Sequence, residues 1–302
     1  MPTGLSRRRA LAAMLAPVAW LPRRLPAAEP PLRLAISESL AGDVNRNDAR
    51  VAMQVWVRKL TDSMDISIDL KAMVPTEEII EGARSGSFDG IGLNILEYRR
   101  IADLMDSSHL IAEEGLRGMQ RYCILTKQTS GFRQLGDLKG RRLLVLKDPL
   151  MCVAPYWLGS VLDEGHYGPA ERFFGSLNSD SKVARVILPV FFGQADACLT
   201  TMLSLESMCE LNPQVGRDLK PIAISAPLLV AFYVFRKNCR RLGRDQVIHA
   251  LSTFDTSAVG QQIATLFHFG HAAIRDASSL APALSILEAA DRNRIHAGKG
   301  TP

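Results

Sequence analysis

Leu32-Arg-Leu-Ala-Ile-Ser37 alternates apolar and polar side chains with the two-residue period of a strand, and residues 37–43 behind it form a polar loop. Ala52, Trp56 and Leu60 then recur at i, i+4 and i+8, with Met53 and Val57 beside them. Such a stripe is wide enough for a helix to lie on a sheet. Ile66-Ser-Ile-Asp-Leu70 alternates again as a second strand. Pro75 opens the next helix, Glu77 and Glu78 suit its positive end, and Gly86 stands just past its close. Phe88-Asp-Gly-Ile-Gly-Leu-Asn94 reads as a third strand, leading into a helix from Ile95 that carries Tyr98 and ends near Met105.

Two more strands, at 109–112 and 119–126, lead away from this unit. Gly140 ends a short helical turn that needs a left-handed residue, and the branched apolar run from Arg142 to Leu146 reads as a buried strand. A helix is expected from about Pro149 to Asp163, another over 184–190, a strand over 195–199 and a further helix from near Thr201. Residues 222–235 form a long apolar run broken by Pro227, long enough to cross back, and helical segments after Gly243 would complete the first unit.

Alternation of this kind implies an α/β fold in which each of two lobes is a mostly parallel sheet flanked by helices. Ligands then bind beyond the carboxyl ends of the strands, where helix amino termini also point. The expected plan is a signal peptide over 1–28, a first lobe from 29–125 and 225–302, and a second lobe from 126–224. Two crossing strands leave a cleft that can close by hinge motion.

Charge sharpens the reading of the first segment. Arg7, Arg8, Arg9, Arg23 and Arg24 are five of the 36 basic residues, so the rest of the chain carries 31 basic against 31 acidic groups. A balanced surface exerts no long-range pull on nucleic acid or anionic lipid. The apolar run over 10–21 is too short to span a bilayer and is interrupted by Pro17, so it reads as an export signal cleaved near Leu25-Pro26-Ala27-Ala28. Ser6-Arg-Arg-Arg-Ala-Leu11 resembles a twin-arginine motif, the alternative being the general secretory route. The remaining residues, about 270, suffice for two lobes.

The five cysteines, Cys123, Cys152, Cys198, Cys209 and Cys239, are odd in number and show no C-x-x-C spacing. Cys123 and Cys198 sit in apolar runs, where a thiol packs as a small hydrophobe.

Five pieces in a fixed order carry a resemblance: Glu77-Glu-Ile-Ile-Glu-Gly-Ala-Arg-Ser-Gly-Ser-Phe-Asp89, Tyr98, the Asp137-Leu-Lys-Gly140 turn, Lys147-Asp-Pro149, and Gly193-Gln-Ala-Asp-Ala197. Over most of residues 31–255 the chain resembles the phosphate, phosphite and phosphonate binding proteins of ABC importers, with the type II periplasmic binding fold. The resemblance implies a ligand loop at Ser37, Glu38 and Ser39, a contact at Tyr98, and an anion-holding Ser/Thr-Ser-Gly loop after Lys147-Asp-Pro149; Asn94 stands where the family usually has Gly and Thr201 where it often has an acidic residue, and both are taken as candidate contacts. Here that loop is Leu150-Met-Cys-Val-Ala154, followed by Pro155: the hydroxyls are gone and Pro155 lacks an N–H. Free phosphate is therefore expected to bind weakly, and a larger or less charged ligand to touch Met151, Cys152 and Tyr156.

Each candidate has a second reading. Ser37, Glu38, Ser39 and Thr201 are also good capping and turn residues; Tyr98 also suits half-buried packing; Asn94 also supplies a tolerated left-handed backbone. Cys152 near a helix amino terminus is where a dipole lowers a thiol pKa and makes a nucleophile. His268 and His271, three apart, share a helix face but have no carboxylate or cysteine fixed nearby by spacing. The run 236–241 is basic without interleaved aromatics and reads as a solvated loop.

No phosphate-cradling glycine loop, H-E-x-x-H or G-x-S-x-G pattern occurs. The chain is expected to be a non-enzymatic, monomeric solute-binding protein, without cofactor or metal, that delivers a small anionic or polar molecule to a membrane permease. Two alternatives stand beside it: a periplasmic sensor subunit read by a membrane signalling partner, and an enzyme using Cys152.

Overall fold

The computed structural model describes residues 30–41, 45–63, 67–239, 241–253, 256, 258, 261 and 271–298. The export segment, Gly42, Asp43, Ile66, His268, residues 299–302 and the side chains of Trp56 and Leu60 lie outside the described residues.

Three strands, β1 (Leu32–Ser37), β2 (Ile68–Val74) and β3 (Gly90–Asn94), run parallel, with β1 in the middle of the three. β3 is buried at every position because it has strands on both edges and packed layers on both faces. Three strands joined by antiparallel ladders extend this sheet, β12 (Ala231–Phe235) and β13 (Ala272–Arg275) running against the first three and β4 (Leu110–Glu113) with them, in the order β13-β4-β12-β3-β1-β2. β2 outruns its alternating segment because it pairs with β1 residue by residue from Leu32↔Ile68 to Ile36↔Ala72; Ser37 then pairs with Val74. The skipped residue, Met73, bulges at φ 60°, a region costly for a side chain that bears a Cβ.

The second sheet has the order β10-β6-β9-β7-β8, from β6 (Tyr122–Lys127), β7 (Arg142–Leu146), β8 (Ser176–Asp180), β9 (Ala197–Thr201) and β10 (Leu219–Ile224). β7, β8 and β9 are parallel; β6 runs against them, and β10, antiparallel to β6, runs with them. The turn before β7 closes as expected, with Gly140 at φ 70°. The helix expected from Pro149 is split into a 3-10 turn, Pro149–Met151, and a helix, Ala154–Glu164. Pro155, which cannot donate to the carbonyl four residues back, accounts for the break.

A third, two-stranded sheet pairs β5 (Met119–Gln120) with β11 (Leu228–Leu229), antiparallel. β6 belongs whole to the second sheet, so the crossing precedes Tyr122 rather than falling at residue 125. The position of this pair follows from register. Tyr122, just after β5, is opposite Thr201 at the carboxyl end of β9, and Ala231, just after β11, is opposite Asn94 at the carboxyl end of β3. The crossing pair therefore joins the sheets beside the carboxyl ends of β3 and β9.

The helix Ala281–Gly298 departs from the expectation that everything after Gly243 completes the first lobe. It packs against the helix Ala154–Glu164 of the second lobe, and Ala283 and Leu287 are buried in the larger core. A smaller core under β1 and β12 gathers Leu32, Leu34, Phe235 and Val247.

Candidate functional site

The parallel strands β1, β2 and β3 end together, and their following residues converge on one side chain, Glu97. Ser37 Oγ donates to Glu97 Oε1 at 2.6 Å and Thr76 Oγ1 donates to the same oxygen at 2.6 Å. Ser39 Oγ donates to Oε2 at 2.8 Å, and the backbone N–H of Asn94 reaches Oε2 at 3.0 Å. Glu97 is 3% exposed and Ser37 is fully enclosed.

Local sequence explains the arrangement. Asn94 ends β3 and caps the helix Ile95–Arg99, accepting from the N–H groups of Leu96 and Glu97, while the Glu97 side chain returns to the Asn94 N–H. That is a capping box. A capping box needs only one of the four bonds to the carboxylate. The other three come from hydroxyls brought in by the turn Glu38–Leu40 after β1 and by the start of the helix Thr76–Ser85 after β2. The bulge at Met73 sets the register that precedes Pro75 and Thr76.

Against the turn Glu38–Leu40 packs the turn Pro149–Met151, which follows β7. Its backbone donors are already engaged: Leu150 N–H by Asp148 Oδ1 at 2.8 Å and Met151 N–H by the Asp148 carbonyl at 2.9 Å. Tyr122, enclosed and 6.1 Å from the Trp157 ring, donates its hydroxyl to the Leu150 carbonyl at 2.8 Å. Burial pushes the Tyr122 hydroxyl well above its ordinary value, with the neighbouring Cys152 adding to the effect. Cys152 shares this wall and feels the negative charge of Glu97. Burial pushes its thiol up to about 12, opposite to the lowering expected from a helix amino terminus, so thiolate is scarce at neutral pH.

Ser37, Ser39 and Asn94 are thus gathered with Thr76 and Glu97, and Cys152 and Met151 lie on the facing turn. Glu38 lies on the turn Glu38–Leu40 beside them, and the remaining candidates have other partners. Tyr98 is buried against Phe232, edge to face at 5.2 Å, with its hydroxyl bonded to Ser107 and its pKa raised by burial. Thr201 Oγ1 accepts from the Ser204 N–H at 3.0 Å, which is the capping role. Tyr156 lines a separate cavity of about 310 Å³ with Pro155, Gly159, Ser160, Asp163, Ala290 and Asn293, between the helices Ala154–Glu164 and Ala281–Gly298. Thr76, Glu97 and Tyr122 were missed in the sequence, although the N-x-x-E spacing from Asn94 to Glu97 marks a helix start and, with it, the carboxylate. Among the described residues no group of three or more His, Cys, Asp or Glu side chains is placed to hold a metal ion, and no helix is long and apolar enough to cross a membrane. Cys123 and Cys198 are core thiols, and none of the five cysteines is in a disulfide.

A family model described as "ABC transporter, phosphonate, periplasmic substrate-binding protein" matches residues 42–279. No curated protein matches. Among solved structures, a Xanthomonas citri protein bound to ATP is similar at TM-score 0.62 and 14% identity, over 88% of this chain and 98% of that one. A binding-protein component of an ABC phosphonate transporter from Pseudomonas aeruginosa is similar at TM-score 0.57 and 13% identity, over 88% of both chains. A Prochlorococcus marinus protein in complex with methylphosphonate is similar at TM-score 0.56 and 13% identity, over 84% of this chain and 96% of that one. At such identities these likenesses establish the shared fold.

Proposed function

Since the chain belongs to the family of periplasmic substrate-binding proteins of phosphonate ABC transporters, we propose that it is an exported, non-catalytic receptor whose two lobes close on a small polar ligand and present it to a membrane permease. The lobes of this reading are the two sheets with their helices, divided at β5 and β11.

One observation carries the proposal: the carboxyl ends of the parallel strands in both sheets lie beside the crossing pair β5 and β11, so the turn Glu38–Leu40, which follows β1, meets the turn Pro149–Met151, which follows β7. A two-lobed fold whose sheets are joined by the strand pair β5 and β11 supports a hinge beside that pair. Loss of the loop hydroxyls at 150–154 and engagement of the Leu150 and Met151 amides support a ligand other than free phosphate, since stripping water from an oxyanion must be offset by several directed hydrogen bonds. The high thiol pKa of Cys152 supports the non-catalytic reading.

A thermal-shift screen of the mature chain against phosphonates, sulfonates, carboxylates and cationic metabolites finds the ligand, because binding to the folded state raises Tm by mass action. Small-angle scattering then tests the receptor reading. The radius of gyration falls on saturation if the lobes close, and an unchanged radius with every stabilising compound counts against it. Co-purification with a permease rather than a membrane kinase identifies the partner.

A further inference from the structure

A carboxylate offers about four lone-pair positions, and all four of Glu97's are taken: Ser37 and Thr76 hydroxyls on Oε1, the Ser39 hydroxyl and Asn94 N–H on Oε2. Each hydroxyl has one proton to give. Ser37 Oγ, moreover, accepts from the Ser39 N–H at 3.1 Å, which fixes its own proton toward Glu97.

Four convergent donors, drawn from three strand ends at the binding edge of an α/β sheet, are what an incoming oxyanion needs when it leaves water. Here the anion is part of the chain. The constellation exceeds what a helix start requires, because Asn94 alone completes the capping box. Its burial also leaves no room for a second anion beside the first, since Glu97 is 3% exposed and like charges at such range repel strongly in a poorly hydrated site.

We propose that the Glu97 carboxylate is a resident anion that fills the first lobe's oxyanion seat, making Glu97 the residue that bars phosphonate-type and other small oxyanions from that seat. The inference rests on the receptor reading only for the direction from which ligands arrive. A ligand of this protein engages the cleft without placing a tetrahedral oxyanion against Ser37, Ser39 and Thr76. Removing the carboxylate leaves three hydroxyls and an amide that lack a counter-group, and an oxyanion of similar size, supplied from solution, replaces it.

Calorimetry with methylphosphonate, inorganic phosphate and acetate on the mature chain and its Glu97→Ala variant is the test. The wild type binds none of the three with useful affinity; the variant is destabilised and binds acetate or methylphosphonate at least about tenfold more tightly than the wild type does. Equal affinities, or a folded variant that binds no oxyanion, overturn the proposal. If Glu97→Ala does not fold alone, refolding in the presence of acetate or methylphosphonate is the readout: recovery supports a vacated seat, and failure to recover overturns it. Tight wild-type binding of methylphosphonate with lobe closure would sink this proposal and leave the receptor reading standing. Oxyanion gain in Glu97→Ala, with no compaction of the wild type by any compound, would do the reverse.

Discussion

Arg33 closes on the Asp89 carboxylate three times, through its backbone N–H at 2.9 Å, its Nε at 3.1 Å and a terminal guanidinium nitrogen at 2.9 Å. Arg142 repeats the contact with Asp196 in the second sheet, at 2.8, 3.0 and 3.3 Å. In each sheet the arginine stands at the start of a central parallel strand and the aspartate immediately precedes its neighbour. Both clamps therefore sit at the amino ends of the strands, away from the carboxyl ends where Ser37 and Asn94 lie.

Replacing Asp196 by Ala removes a backbone and two guanidinium hydrogen bonds. The Arg142 side chain is 53% exposed, so solvent screening discounts the charged part, and the loss expected in urea denaturation is about 1–2 kcal/mol. The Arg142 hydrogen bonds hold the Asp196 carboxyl below the ordinary aspartate value. A depressed pKa stabilises the fold above the unfolded value and ceases to do so as pH falls through the folded one. Asp106, lowered chiefly by Ser108, behaves alike. Stability should thus fall below about pH 4, less steeply in Asp196→Ala.

Tyr98 separates packing from ligand contact. Tyr98→Phe loses the bond to Ser107 but keeps the ring against Phe232, and is expected to cost about 1 kcal/mol while leaving the affinity of whichever ligand the screen finds unchanged. Tyr98→Ala opens a cavity and should cost about 3–5 kcal/mol. A large affinity loss in the conservative Phe variant would return the hydroxyl to the binding site.

Cys152 should resist alkylation. With its thiol pushed up to about 12 by burial, reaction with iodoacetamide at neutral pH is expected to be at least about a hundredfold slower than for an exposed cysteine peptide, and to rise with pH throughout the accessible range. Fast labelling that levels off near neutral pH would revive the nucleophile reading.

Export is tested by mass. Cleavage between about residues 25 and 31 is expected in the exported protein, and an intact amino terminus would contradict it. Lysine at both Arg7 and Arg8 abolishes export only if the twin-arginine route is used.

Long-period patterns were legible and short-range exceptions were not. β1, the helix Thr76–Ser85, Gly86, Gly140 and β7 followed from alternation and helix punctuation, because burial on one side imposes a period. β8 was missed because an edge strand leaves most of Ser176–Asp180 in contact with solvent and shows no apolar alternation. β13 was missed because four residues give too short a pattern. At the site, Ser37, Ser39 and Asn94 could be picked out by their place at strand ends, whereas Thr76 and Glu97 depend on how β2 and β3 register with β1, which no local pattern contains.

The helix Ala281–Gly298 holds both halves of the molecule at neighbouring turns: Asp291 is bonded to Arg99, at the end of the helix that carries Glu97, and Asn293 to Asp163, on the second lobe. Parting the lobes at β5 and β11 requires one of these grips to let go, or the helix to slide. The carboxyl terminus is in this sense a strut whose weaker end decides how far the molecule swings open. Substitutions at Asp291 or Asn293 would alter the share of open molecules, and with it the apparent affinity for any ligand, without touching a group in the cleft.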